Sequence, residues 1–240
     1  MTRPDTPAAP HSYPRVTSFR SRRSTLSHSQ QQTWERLWPE IGMQARDAEG
    51  TPDRLDTEAW FGRSAPLVLE IGCGAGTSTL AMAQAEPHLD VVAVEVYRRG
   101  LAQLLSGIER ESVTNIRLVR GDGVDVLEHM FGPDSLTGVR VFFPDPWPKA
   151  RHHKRRLLQP STLALIADRL RPGGVLHAAT DHPGYAEQIA EVGDAEPRLR
   201  RVAADTEGLP ISVTRPDTKY ETKARHAGSA VAELLWEKRR

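Results

Sequence analysis

The stretch LVLEIGCGAGTSTLAMAQAE, Leu67–Glu86, decides the fold. Leu67–Ile71 is a short apolar run with the composition of a strand buried on both faces of a parallel sheet. Gly72, Gly74 and Gly76 follow without a gap and lead into the helical stretch Thr77–Glu86. A strand, a glycine turn and a helix in that order allow a tight turn, and a ligand can approach where no Cβ intervenes. Dinucleotide oxidoreductases and methyltransferases both use such loops, and two details separate them. The dinucleotide fingerprint wants its third glycine at position 77, which is Thr77 here, and Glu70 lies inside the strand just before the loop. A carboxylate in that position repels a pyrophosphate and suits a cationic ligand.

The pattern repeats on the C-terminal side. Val91–Val96 is a second strand, followed by a helix over Gly100–Glu111. Ile116–Val119 is a third, ending at Gly121, Asp122 and Gly123 before a helix over Val124–Met130, and Val139–Phe143 is the fourth. A helix over Pro160–Leu170 stops at Pro172, Gly173 and Gly174; Val175–Ala179 is the fifth strand, followed by a helix over Tyr185–Val192. Five strands alternating with helices predict an α/β fold with a doubly wound, mostly parallel sheet. Leu199–Val202 and Ala230–Trp236 would add a C-terminal antiparallel hairpin. Glu95 closes the second strand about 20 residues after the glycine loop, where a carboxylate takes ribose hydroxyls in α/β nucleotide sites. Asp122 ends the third strand, at the height of an adenine amino group.

The fourth strand runs into FFPDPWPKARHHKRRL, Phe142–Leu157. Three prolines around Asp145 and Trp147 stiffen the loop and push the residues before them towards extended conformations. A carboxylate and an indole would thus stand in an open loop at a strand's carboxyl end, where open α/β sheets bind ligands. Lys149, Arg151, His152, His153, Lys154, Arg155 and Arg156 then form a cationic block able to neutralise phosphates. A basic run alone is more often a solvated face. Its fusion to a buried strand and a proline-framed acid points to a site, because folding alone does not require those features to be neighbours.

A chain of 240 residues, 38% of them hydrophobic, can bury one substantial α/β core with a tail. Its 32 basic and 31 acidic residues nearly cancel, yet the basic ones gather at Arg15–Arg23, Lys149–Arg156 and the C-terminus. Cys73 is the single cysteine, which excludes an internal disulfide and a cysteine-based metal site, and no metal is expected. No apolar run has the length of a membrane span or of a signal peptide, so the expectation is a cytoplasmic protein. Residues 1–16, rich in Pro, Ala and Thr, read as a disordered tail. Residues 17–60 read as a basic arm with a short helix carrying Trp34, Leu37, Trp38 and Ile41 as packing residues, and then a polar connection. Residues 61–240 form the main domain.

LEIGCGAG (Leu69–Gly76), VAVEV (Val92–Val96), Gly121-Asp122, FFPDPWPKARHHKRRL, ATD (Ala179–Asp181) and TKYE (Thr218–Glu221) together resemble the bacterial tRNA (guanine-N7-)-methyltransferases. These are class I enzymes that use S-adenosylmethionine. The resemblance covers most of the chain and departs from the family at Ala150, Ala224 and Ser229. It implies that Glu70, Gly72, Gly74, Gly76, Glu95, Asp122 and Asp145 bind or line the cofactor site. It further implies that Lys149, Asp181, Thr218, Lys219, Tyr220 and Glu221 contact substrate, and that Arg151, His152, His153, Lys154, Arg155 and Arg156 contact RNA. Asp145 is the residue expected to act on the base. The partner implied is tRNA, methylated at guanine 46 of its variable loop, and the enzyme would be a monomer or homodimer. Guanine N7 carries a lone pair and no proton, so its methylation calls for positioning and no general base. A small-molecule or protein methyltransferase, a non-catalytic RNA-binding relic and a nicotinamide dehydrogenase are the competing readings.

Overall fold

Alternate residues of the central strands feed two separate apolar layers. In the computed structural model, which describes residues 25–46, 54–216 and 230–240, the strands are β1 (Gly42–Gln44), β2 (Leu67–Ile71), β3 (Asp90–Glu95), β4 (Ile116–Arg120), β5 (Leu136–Phe142), β6 (Leu170–Thr180), β7 (Leu199–Arg201) and β8 (Ala232–Lys238). The helices are α1 (His28–Ile41), α2 (Thr57–Phe61), α3 (Thr77–Ala85), α4 (Arg98–Glu111), α5 (Gly123–His129), α6 (Pro160–Arg169) and α7 (Pro183–Ala195). The expectations for residues 1–16, for Arg15–Arg23, and for Thr218, Lys219, Tyr220 and Glu221 lie outside the described residues. None of the described helices is long and apolar enough to cross a membrane.

The strands form one sheet in the order β1-β4-β3-β2-β5-β6-β8-β7. β1 to β6 pair in parallel, while β8 runs antiparallel to both β6 and β7. This is the expected doubly wound sheet with its C-terminal antiparallel addition, except that β8 inserts between β6 and β7. The order reverses between β2 and β5, so their carboxyl ends flank the crevice where open α/β sheets take ligands. On one face Leu67, Leu69, Ile71, Val92, Val94, Val139 and Val141 meet α5, α6 and α7 through Leu127, Leu163, Ile166, Tyr185 and Ile189. On the other Val68, Val91, Ala93, Ile116 and Leu118 meet α3 and α4 through Leu80, Leu101, Leu104, Leu105 and Ile108. The 101, 104, 105 and 108 spacing is the apolar stripe of a helix lying on a core.

The short helix expected around Trp34–Ile41 is present as α1. Ser27 and Gln30 form a capping box, each side chain meeting the other's backbone N–H at 3.3 and 3.0 Å. That start sets α1 running from His28, and its Trp34 and Trp38 stack at 4.1 Å as packing residues. The Arg98 guanidinium lies 4.7 Å from the Trp34 ring centroid, tying α1 to the start of α4. β1 and α2 occupy parts of the stretch expected to be a polar connection. The change in sequence character near residue 61 therefore falls within a continuous sheet, because β1 pairs with β4.

One row across the sheet breaks its apolar character. Glu70, Arg140 and His177 are register partners on β2, β5 and β6, and all three are buried. The Arg140 guanidinium is neutralised by Glu86, Nη2 to Oε2 at 2.5 Å, with side-chain exposures of 0% and 6%. Glu86 Oε1 accepts the Ser212 N–H at 2.6 Å, and Arg140 Nη2 donates to the Ser212 carbonyl at 3.2 Å. Ile211, next in the chain, seats over Gly138, where a Cβ would come within 2.7 Å of its Cδ1. The extended segment around Ile211 and Ser212 is thus fastened across the sheet. Removing one partner of a buried ion pair strands the other charge, so Arg140→Met should destabilise the protein by about 3–5 kcal/mol in denaturant titration. Arg140→Met combined with Glu86→Gln should recover most of that loss. Equal losses in the single and double variants would contradict this account of the row.

Candidate functional site

Five consecutive strands in the sheet carry a candidate residue at their carboxyl ends. In spatial order β4, β3, β2, β5, β6 they deliver Asp122, Glu95, the glycine loop, the Asp145 loop and Asp181. Residues scattered over 110 positions of sequence become one line along one edge, as α/β crossovers dictate.

The glycine loop is shaped by left-handed backbone. Gly72 and Gly74 take φ of 82° and 57°, and a Cβ on either would meet no protein atom within 4 Å. The loop therefore borders open space that only backbone limits. Gly100 is constrained in the opposite way, since a Cβ there would come within 2.3 Å of the Gly74 carbonyl oxygen. The start of α4 thus packs directly on the loop. Glu95 links the same two pieces: Oε2 accepts the Gly74 N–H at 3.0 Å and Oε1 accepts the Tyr97 N–H at 2.9 Å. Each oxygen keeps a further lone pair, so the carboxylate is oriented without being exhausted. Asp122 caps α5, its Oδ1 accepting the Val124 N–H at 2.9 Å.

Glu70 lies beneath the loop. Its Oε1 accepts the Thr79 hydroxyl at 2.9 Å, and its buried Oε2 has no partner among the described residues. Burial pushes the Glu70 carboxyl up, while the charges of Arg140 and Arg215 and the Thr79 hydrogen bond pull it back in part. Burial, reinforced by Glu95 and Glu70, raises the Cys73 thiol well above its usual range. Cys73 is thus an inert packing residue.

The proline loop differs from its sequence expectation at two points. Phe143 and Trp147 each precede a proline, yet both adopt left-handed φ, 50° and 44°, where an extended conformation was expected. Such backbone costs on the order of 1–3 kcal/mol per residue and persists only where its surroundings over-determine it. Here they do. The Phe143 N–H donates to the Ala179 carbonyl at 2.8 Å. Trp147 is 4% exposed, with the Arg155 guanidinium 3.7 Å from its ring centroid and the His152 ring edge-on at 5.9 Å. The indole therefore supports the loop from below and offers no open face on which a base could stack.

The basic block divides in the same way. It folds as a 3-10 helix, Ala150–Arg155, with Lys149 at its start. Lys149, Arg151 and Lys154 are exposed, while His152, His153 and Arg155 are half-buried. Arg156, expected to contact RNA, is instead 4% exposed. Its Nε donates to the Pro146 carbonyl at 2.8 Å and its Nη1 to Gly184 O at 3.1 Å and Gln188 Oε1 at 2.5 Å, with the guanidinium over the Tyr185 ring. A guanidinium this buried, with Nε and Nη1 both held by protein oxygens, presents no open fork to a phosphate, so this expectation is corrected: Arg156 anchors the proline loop to α7.

Sequence reading did not pick out Arg140, His177, Arg215 or Glu233. A usable signal existed, since Arg140 and His177 interrupt otherwise apolar strands at positions of matching parity. Arg156→Gln should lower stability by about 2–3 kcal/mol, because buried carbonyls lose a charged donor. Lys154→Gln, on the exposed side of the same 3-10 helix, should stay within about 0.5 kcal/mol. Similar small effects for both, measured by chemical denaturation, would return Arg156 to the solvent-facing set.

A family model described as a putative methyltransferase matches residues 64–234. The chain is 75% identical over 241 residues to the tRNA (guanine-N(7)-)-methyltransferase of Mycolicibacterium gilvum strain PYR-GCK, covering 98% of this chain and 91% of the relative. It is 69% identical over 240 residues to the protein of the same name from Mycobacterium tuberculosis strain ATCC 25177 / H37Ra, covering 98% and 90%. Among solved structures, the 16S rRNA methyltransferase KamB aligns with a TM-score of 0.52 at 16% identity, covering 81% of this chain and 99% of that one, a likeness of fold. At this identity and coverage, the chain belongs to the tRNA (guanine-N(7)-)-methyltransferase family.

Proposed function

We propose that the chain transfers the methyl group of S-adenosylmethionine to N7 of guanine 46 in the variable loop of tRNA, forming 7-methylguanosine. The observation that carries this reading is the line of residues along the sheet's edge. Asp122, Glu95 and the open glycine loop occupy β4, β3 and β2, while Asp145 and Asp181 occupy β5 and β6. One end suits an adenosine and the other a second substrate, with the switch point between them. The family relatives act on tRNA by name.

The residues present fit this cofactor. The buried, unpartnered Glu70 Oε2 and the space a Cβ would fill at Gly72 and Gly74 match a cationic group lying against a carboxylate and bare backbone. When bound, S-adenosylmethionine supplies an electrophilic methyl on a positively charged sulfur. Glu95 accepts from the ribose hydroxyls, and Asp122 accepts from the adenine amino group. Gly72, Gly74 and Gly76 keep the backbone low enough for close approach. Glu70 offers its unpartnered Oε2 as an acceptor beneath the loop.

On the acceptor side, N7 attacks through its own lone pair, so no residue has to remove a proton. Asp145 orients the guanine and offsets the positive charge that grows on its imidazole ring. Asp181 accepts from the N1 and N2 hydrogens together with Glu221, and Lys149, Thr218, Lys219 and Tyr220 complete the substrate contacts. The exposed Arg151 and Lys154, joined by His152, His153 and Arg155, hold the RNA backbone. The protein works on tRNA in the cytoplasm, as a monomer or homodimer. A small-molecule methyltransferase would leave the exposed basic strip without a partner.

The test is methyl transfer from labelled cofactor to unmodified tRNA, with the labelled nucleoside identified and mapped. 7-Methylguanosine at position 46, and none on tRNA carrying 7-deazaguanosine there, is the expected result. Asp145→Asn should lower the single-turnover rate about 100-fold or more, the size of a lost transition-state charge contact. Arg151→Gln or Lys154→Gln should each reduce the salt slope of tRNA affinity by about one without changing the base modified. Label at another nucleoside, or undiminished label on the 7-deaza tRNA, would overturn the assignment.

A further inference from the structure

A second cationic cluster lies beside the proline loop. Arg215 lies in the segment that Ile211 and Ser212 fasten across the sheet, and its side chain is 4% exposed. Its Nε and Nη2 both donate to Glu233 Oε1 on β8, at 3.0 and 2.5 Å. The other oxygen, Glu233 Oε2, is 2.5 Å from His177 Nε2 on β6. The guanidinium also covers two rings at once, 5.1 Å from the Phe142 centroid and 5.0 Å from that of Phe143. His177 closes the cluster edge-on to Phe142 at 4.8 Å.

These contacts meet at the hinge of the proline loop. Phe142 is the last residue of β5, and Phe143 is the left-handed residue from which the chain turns into Pro144 and Asp145. Only one backbone bond, to Ala179, holds the Phe143 N–H. A bulky residue before proline at φ of 50° needs more than one hydrogen bond to stay there. The Arg215 charge over both rings, itself fixed by Glu233 and His177, is the contact that supplies the rest. Arg215 also stands immediately before Pro216 and the stretch that carries the substrate contacts proposed at Thr218–Glu221.

We propose that Arg215 is a positioning residue: pinned by Glu233 and His177, it holds the Phe142–Phe143 rings and so fixes the turn that aims Asp145. The inference rests on the proposed role of Asp145 and names the group that sets its orientation. Lysine cannot replace it, because a point charge on a flexible stem cannot take both Glu233 and two ring faces as a planar fork does.

The test compares wild type with Arg215→Lys, and with Phe142→Leu, which removes one ring and leaves the Arg215–Glu233 pair intact. Two readouts separate the inference from the reading beneath it. Hydrogen exchange at the Phe143 amide, which donates to Ala179, should accelerate at least tenfold in both variants, with the amides of β2 and β3 unchanged. The single-turnover methylation rate should fall at least tenfold in both variants while cofactor affinity stays within twofold. Unchanged exchange at the Phe143 amide would overturn the anchoring role, and faster exchange with an unchanged rate would overturn its bearing on the reaction. A uniform rise in exchange with matching loss of cofactor affinity would reduce Arg215 to a general stabiliser and also overturn the proposal. If wild type labels no guanine, the proposed function falls, and the exchange comparison still decides whether Arg215 holds the turn.

Discussion

Arg140 lies at the centre of the sheet with no exposure, neutralised by Glu86 and level with Glu70 and His177. A buried ion pair contributes little net stability compared with apolar packing, so what it contributes is position. Through Glu86 and Arg140 the Ser212 backbone is fixed over the sheet. Through their charges Arg140 and Arg215 temper the desolvation of Glu70 under the glycine loop. The edge of the same cluster, His177 with Glu233 and Arg215, reaches the turn that leads to Asp145. One polar row therefore runs through the sheet from beneath the glycine loop to the turn that leads to Asp145.

Burial lowers His177, offset in part by its bond to Glu233. Burial also raises Glu233, yet the hydrogen bonds from His177 and Arg215 hold it below the usual carboxylate range. A neutral ring and an ionised carboxylate sharing a short contact give a stable hydrogen bond where a second full charge would be costly. The strained Phe143 sits beside this cluster, whereas Trp147 is packed by Arg155 and His152. The sequence encodes rigidity twice there, first in three prolines and then in cations stacked on the rings that precede and interleave them.

The parallel strands, their helices and the glycine loop were legible because each is local: an apolar run, a turn residue, a helical stripe. The places of Glu95 and Asp122 at strand ends were legible because one and two βα units separate them from the loop. Arg156 was not, since a guanidinium in a basic string reads the same whether it faces water or Gly184 and Gln188 on a helix 28 to 32 residues away. Trp147 misled for the same reason: its burial depends on Arg155 folding back over it. β1 is three residues long and is a strand only because β4 offers an edge. Arg215 and Glu233 meet across 18 residues, a pairing of charges that carries no periodic signature.

Guanine N7 attacks through its own lone pair, so a site for it has to position the acceptor and needs no base. The measurement that tests it most directly is the pH dependence of the single-turnover methylation rate at saturating cofactor and tRNA. The account predicts a flat profile across about pH 6.5–8.5, since no group has to lose a proton for N7 to attack. A rate that climbed about tenfold per pH unit over that range would require a titrating base and would contradict it.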